Sequence, residues 1–168
     1  MRVVVEVLAR RSAPLVWRHL TDWPWQSASI PLTRVHRTRS AERSRSAEGE
    51  GDSFTGRTSV LGAGFDDPMV VVRWEPPTAG APGDGGRPGT AVLAKRGSVV
   101  LGSAALRVEP LTAGSCRVVW GEDVEIAPVT LTRPLEPLLR VPAWVGLRSV
   151  VVDLVRRVEA RTPEPLEP

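Results

Sequence analysis

The 168-residue sequence has no tyrosine and no asparagine, a single cysteine, two histidines, two phenylalanines, and one lysine among its 22 basic residues. Each scarcity removes a class of chemistry. Cys116 alone cannot close an internal disulfide or build a thiolate metal cage, and its apolar alternating surroundings suit a small buried hydrophobe. A reducing, cytoplasmic location is therefore expected. His19 and His36 do not stand at metal-ligand spacing and no Ser-His-Asp order stands out, so neither metal-dependent nor triad hydrolase chemistry is expected. The N-terminal segment lacks the long apolar core and small-residue cleavage site of a signal peptide. Arg148, Asp153, Arg156 and Arg157 break the most apolar late stretch, Val141 to Val158, before it could cross a bilayer. Gly62-Ala63-Gly64-Phe65-Asp66-Asp67 falls short of a dinucleotide fingerprint and has no helix after it, so no cofactor is expected.

What the chain has instead is tryptophan. Six indoles, Trp17, Trp23, Trp25, Trp74, Trp120 and Trp144, carry most of its aromatic volume. Hydrophobic residues make up 42% and charged ones 24%, values of an ordinary globular chain with one core. The net charge is only +3, so the basic character reflects arginine in place of lysine rather than a large excess of charge. Arg34, Arg37, Arg39, Arg43 and Arg45 form a basic run, but Glu48, Glu50 and Asp52 follow at once and no aromatic side chain interleaves. That pattern is a solvated strand and loop, not a nucleic-acid surface.

Hydrophobic periodicity orders the elements. Val3, Val5, Val7 and Ala9 alternate in a half-buried strand over residues 2–9. Ser12-Ala13-Pro14 then opens a short helix, with Val16, Trp17, Leu20 and Trp23 at helical spacing and Pro24 ending the run. Residues 26–32 read as a second short helical or irregular piece, Thr33 to Thr38 as a strand, and Ala41 to Asp52 as a mobile connection. Strands are expected over Ser53–Leu61, Met69–Trp74, Thr90–Lys95, Ser98–Leu111 and Cys116–Ala127, with a Pro- and Gly-rich loop from Pro76 to Gly89. A long helix runs from near Pro142 to about Arg161, with Trp144, Leu147, Val151, Leu154 and Val158 on one face. The result is an α+β fold in a single domain over residues 1–162, with 163–168 a frayed tail. No βαβ alternation is present, so the antiparallel sheet buries its apolar face by curving around the final helix.

Four pieces of sequence resemble the START-like superfamily, also called SRPBCC, which includes polyketide cyclases, plant allergen-type binders and lipid-transfer domains. They are Ala13-Pro14-Leu15-Val16-Trp17 leading to Leu20-Thr21-Asp22-Trp23-Pro24, then Gly51-Asp52-Ser53-Phe54, then Val72-Arg73-Trp74-Glu75-Pro76-Pro77, and finally Val108-Glu109-Pro110-Leu111 with Cys116-Arg117-Val118-Val119-Trp120. The resemblance implies a helix-grip fold: about seven curved antiparallel strands wrapped around a long C-terminal helix, with two short helices after the first strand. It also implies a cavity between sheet and helix for a small hydrophobic molecule, catalytic in some members and merely binding in others. The chain departs from the pattern at Ala28-Ser29 and in the longer loop from Thr78 to Gly89, both placed at the expected cavity rim.

Period two in the Cys116–Ala127 strand puts Glu122 on the inward face, where a carboxylate could act as acid or base or bind a ligand hydroxyl; a salt-bridged carboxylate at the sheet margin is the plainer alternative. Lys95 shares a strand face with Ala91 and Leu93, and is either an inward partner for Glu122 or for an acidic ligand, or part of a polar hairpin tip. Arg73 reads as an exposed strand arginine covering a tryptophan, and His19 as a partly exposed helix residue. The ligand-binding candidates are Trp17, Val118, Trp120, Trp144, Leu147 and Val151. Three functions follow as alternatives: a binder of an acyl, lipid or aromatic polyketide-like molecule; a cyclase or aromatase using Glu122 and Lys95; and, more weakly, a stress-response or co-chaperone module using the outer sheet face.

Overall fold

Strand β1 (Arg2–Ala9) buries Val3, Val5 and Ala9 and turns Val4 and Leu8 to solvent, as its alternation requires. The computed structural model describes residues 1–27, 29–30, 33–37, 49–60 and 63–161; the arginine-rich stretch through Arg39, Arg43 and Arg45, with most of the connection expected from Ala41 to Asp52, and the tail 163–168 lie outside them. After β1, helix α1 (Ala13–Leu20) starts at Ser12, whose carbonyl accepts from Val16 N–H at 3.1 Å, and it buries Val16, Trp17 and Leu20. It ends before Trp23. The Thr21 hydroxyl donates to the Trp17 carbonyl at 2.8 Å and closes the turn. Pro24 then sits in the first turn of a separate helix, α2 (Trp23–Gln26), where its missing N–H costs nothing. The proline starts a helix instead of stopping one.

The remaining strands are β2 (Thr33–Arg37), β3 (Ser53–Val60), β4 (Ala63–Glu75), β5 (Gly89–Arg96), β6 (Val100–Thr112) and β7 (Ser115–Ile126). All seven form one antiparallel sheet in the order β1-β7-β6-β5-β4-β3-β2. β4 is longer than its sequence suggests, because residues 63–68, with a glycine, two aspartates and a proline, pair with β3 instead of turning. The sheet curls so that alternate residues face one concave side. Gly102 in β6, at φ +124°, is required by a close approach: a Cβ there would run into the Asp123 carbonyl of β7.

Beyond β7 come α3 (Val129–Thr132), one 3-10 turn and α4 (Glu136–Ala160). α4 begins before Pro142, which lies inside it. The proline leaves a carbonyl one turn back unbonded, but Leu138 there is 74% exposed and water can meet it. Only the second half of α4 enters the core, through Val151, Leu154, Val155 and Val158. These pack with Leu20, Leu106, Val108 and Val118 from the first helix and the central strands. The first half runs along the free edge of β1, where Trp144 Nε1–H donates to the Val4 carbonyl at 3.1 Å and blunts an edge that would otherwise be open. The Met1 ammonium binds the Val124 carbonyl and pairs with Glu136 at the start of α4, holding the Glu136 carboxyl below its usual range. Among the described residues no helix is long and apolar enough to cross a membrane.

Candidate functional site

Because the strands alternate, one set of side chains from each lines the concave face. Thr33 and Val35 of β2, Phe54, Gly56 and Thr58 of β3, Phe65, Asp67 and Met69 of β4, Leu93 and Lys95 of β5, Ala104 of β6, and Trp120, Glu122 and Val124 of β7 surround a pocket of about 310 Å³. Gln26 and Ile30, from α2 and the segment after it, close one side. No residue of α4 lines it, so the pocket lies between the sheet and the α2 segment rather than under the long helix.

Most of the lining is apolar, and three ionisable groups interrupt it. Lys95 Nζ donates to Asp67 Oδ2 at 2.6 Å and to Met69 Sδ at 3.8 Å. The Lys95 and Asp67 side chains keep only 7% and 15% of their exposure, so this ion pair is largely withdrawn from bulk water. Glu122, on the neighbouring wall, makes no hydrogen bond or ion pair among the described residues. Glu122 is only half-buried, whereas Asp67 Oδ1 and Trp120 Nε1 are buried and without a partner among the described residues. An unanswered buried polar atom is costly, about 1–3 kcal/mol.

The two ionisable residues singled out from the sequence thus share one pocket, but Lys95 pairs with Asp67 and not with Glu122. Asp67 was not legible as a pocket residue: its neighbours Asp66, Pro68 and Gly64 read as turn chemistry, and the strand alternation of Phe65, Asp67 and Met69 was the signal available. Asp66, on the opposite face of β4, pairs with Arg57 at 3.0 Å. Of the six proposed ligand-binding residues, Trp120 lines the pocket. Val118 and Val151 are fully buried core residues, and Leu147 packs partly buried against that core. Trp144 lies on β1's outer edge, 43% exposed. Trp17 belongs to an aromatic cluster: it meets Trp74 edge-on at 5.0 Å, and Trp23 stacks on Phe54 at 4.8 Å and meets Trp74 edge-on at 6.5 Å. Phe54 also lines the pocket, so the cluster adjoins it through that ring.

Trp25 is partly buried, with the Arg161 guanidinium 5.3 Å from its ring centre and the His19 ring 5.8 Å away. His19 Nδ1 lies 2.9 Å from the Leu15 carbonyl, so that imidazole is occupied within its own helix. Arg73 is exposed and binds Glu75 at 2.9 Å. The long loop from Pro76 onward is not at the pocket rim. β4 enters the pocket at Phe65, Asp67 and Met69 and reaches the loop only after Glu75. The strand from Met69 to Glu75 spans roughly 20 Å of chain. Gly89, where the loop rejoins the sheet, is instead packed so tightly on Pro77 and Trp17 that a Cβ would collide with both.

A curled antiparallel sheet holding a C-terminal helix, with short helices after the first strand and a pocket in the concave face, defines a helix-grip protein. No known sequence family and no curated protein sequence matches the chain. Solved structures do match. A protein of Thermus thermophilus is similar over 95% of this chain and 98% of its own, with a TM-score of 0.69 at 13% identity. A START superfamily protein from Mycobacterium smegmatis covers 96% and 99% with a TM-score of 0.65 at 17% identity. The Zhui aromatase/cyclase from a Streptomyces species covers 95% and 96% with a TM-score of 0.60 at 19% identity. At such identities the likeness is one of fold, and the fold of this chain is that of the START-like, or SRPBCC, superfamily.

Proposed function

We propose that the chain binds a small hydrophobic molecule, of acyl, lipid or aromatic polyketide-like type, in the pocket of the concave sheet face. The pocket itself carries the reading. Protein interiors pack to crystal density, so about 310 Å³ left open beside Phe54, Leu93, Trp120 and Val124 is space the core does not fill. Apolar walls with a few convergent polar groups are the usual form of a small-molecule site. The single cysteine is buried and free, which suits a reducing cytoplasm.

Native mass spectrometry of protein purified from its own host should show a retained small molecule. With a ligand at about a hundred times its Kd, linkage adds about 3 kcal/mol of stability, so melting should rise by roughly 5–10 °C, and Trp120 should make tryptophan emission respond. If nothing co-purifies and a panel of acyl and aromatic compounds moves neither melting nor emission, the reading fails.

One observation favours a second reading, a cyclase or aromatase: Glu122 shares the pocket with the Lys95–Asp67 pair, so a bound chain would lie between groups able to move protons. Full turnover by Glu122→Gln on an identified substrate would remove Glu122 as its acid or base.

A further inference from the structure

Although the chain has 22 basic residues, Lys95 is the one among the described residues that lines the pocket. Its charge is already spent, because Nζ sits 2.6 Å from Asp67 Oδ2 and the two side chains are shielded from water together. Lys95 and Asp67 therefore act on a ligand as a nearly neutral unit. Glu122 has no such answer among the described residues. Asp67 Oδ1 adds a second acceptor without a donor at the same wall, against one unpaired donor, the Trp120 indole N–H. The pocket is thus negative inside a chain of net charge +3.

From this imbalance, and resting on the pocket being a ligand site, we infer that the ligand enters with a hydrogen-bond-donating end that carries no negative charge, an amine above all, and that the pocket discriminates against carboxylates. A donor brought to Glu122 gives its half-buried carboxylate a partner inside the pocket, and a cationic donor also cancels its charge beside apolar walls. A ligand carboxylate would meet Glu122 as a like charge and would have to compete with Asp67 for Lys95. The apolar remainder of the ligand rests on Phe54 and Phe65.

Phenylbutylamine, phenylbutanol and phenylbutyrate share one skeleton and differ only at the end group, so titration calorimetry of the purified protein near neutral pH with all three isolates the discrimination. The expected order is amine, then alcohol, then acid, with the amine at least roughly tenfold tighter than the acid. In Glu122→Gln, which keeps the side chain's shape, that ratio should fall at least roughly tenfold while the alcohol changes little; circular dichroism establishes that the variant is folded. Binding of phenylbutyrate as tight as that of the amine in the wild-type protein overturns the inference and leaves the binding function standing. So does an amine preference that survives in folded Glu122→Gln. If none of the three binds, the binding function fails and the inference falls with it.

Discussion

Cys116 is a thiol sealed in β7, with no exposed surface, opposite Ala9 of β1 and Pro110 of β6. Desolvation, with a smaller contribution from the Glu159 carboxylate, pushes its pKa up from 9.0 to about 11. The thiolate is disfavoured in the folded chain, so the folded state holds this proton more tightly than the unfolded state does. The resulting stability is complete below pH 9 and is lost as pH rises toward 11, about 3 kcal/mol over that window. Urea unfolding of wild type and Cys116→Ala across pH 8 to 11 should show the wild type losing roughly that much more. Equal slopes would mean that the thiol is not desolvated. This residue was legible in the sequence because an apolar alternating run places a lone cysteine inward. Glu122 was legible as inward-facing by the same period of two, whereas Lys95 read equally as part of a polar hairpin tip. Asp67 was not legible, since Asp66-Asp67-Pro68 carries turn chemistry, and only pairing with β3 makes it a strand.

α4 shows at the scale of an element what periodicity conveys and what it omits. Trp144, Leu147, Val151, Leu154 and Val158 do share one helix face, as their spacing requires. What lies beneath that face changes along the helix: core at Val151 to Val158, the free edge of β1 at Trp144. A one-dimensional pattern identifies a face but not its neighbour, which is why Trp144, Leu147 and Val151 share a face and yet none of them lines the pocket of the concave sheet. The first half of α4 buries little apolar surface, with Leu138 74% and Val141 67% exposed. Leu154→Ala should accordingly cost about 2–5 kcal/mol, since Leu154 is fully buried. Leu138→Ala should stay within roughly 0.5 kcal/mol of wild type. Denaturant midpoints measure both, and a large loss at Leu138 would show that the first half of the helix is packed against something in solution.

For the whole molecule, the sheet's curl creates both the core and the vacancy beside it. Order and number of strands were readable from alternation and turn signals, whereas the place of the vacancy depends on which inward side chains fill the concave face. Trp17, Trp23 and Trp74 pack together at one side with Phe54 as the boundary, and past that boundary two of the inward residues, Gly56 and Ala104, are small. Small residues on a concave face keep volume open at the expense of buried apolar area, so binding and stability should be opposed in this chain. Ala104 is 3% exposed and projects into the pocket from β6. Ala104→Met extends a flexible apolar chain into that space, and it should stabilise the fold by about 1 kcal/mol while weakening phenylbutanol at least roughly tenfold. Urea midpoints and titration calorimetry on the same preparation read both effects. Undiminished binding by a stabilised Ala104→Met would place the ligand elsewhere, with the hollow between β1 and α4 lined by Val4, Arg140 and Trp144 as the next site to block.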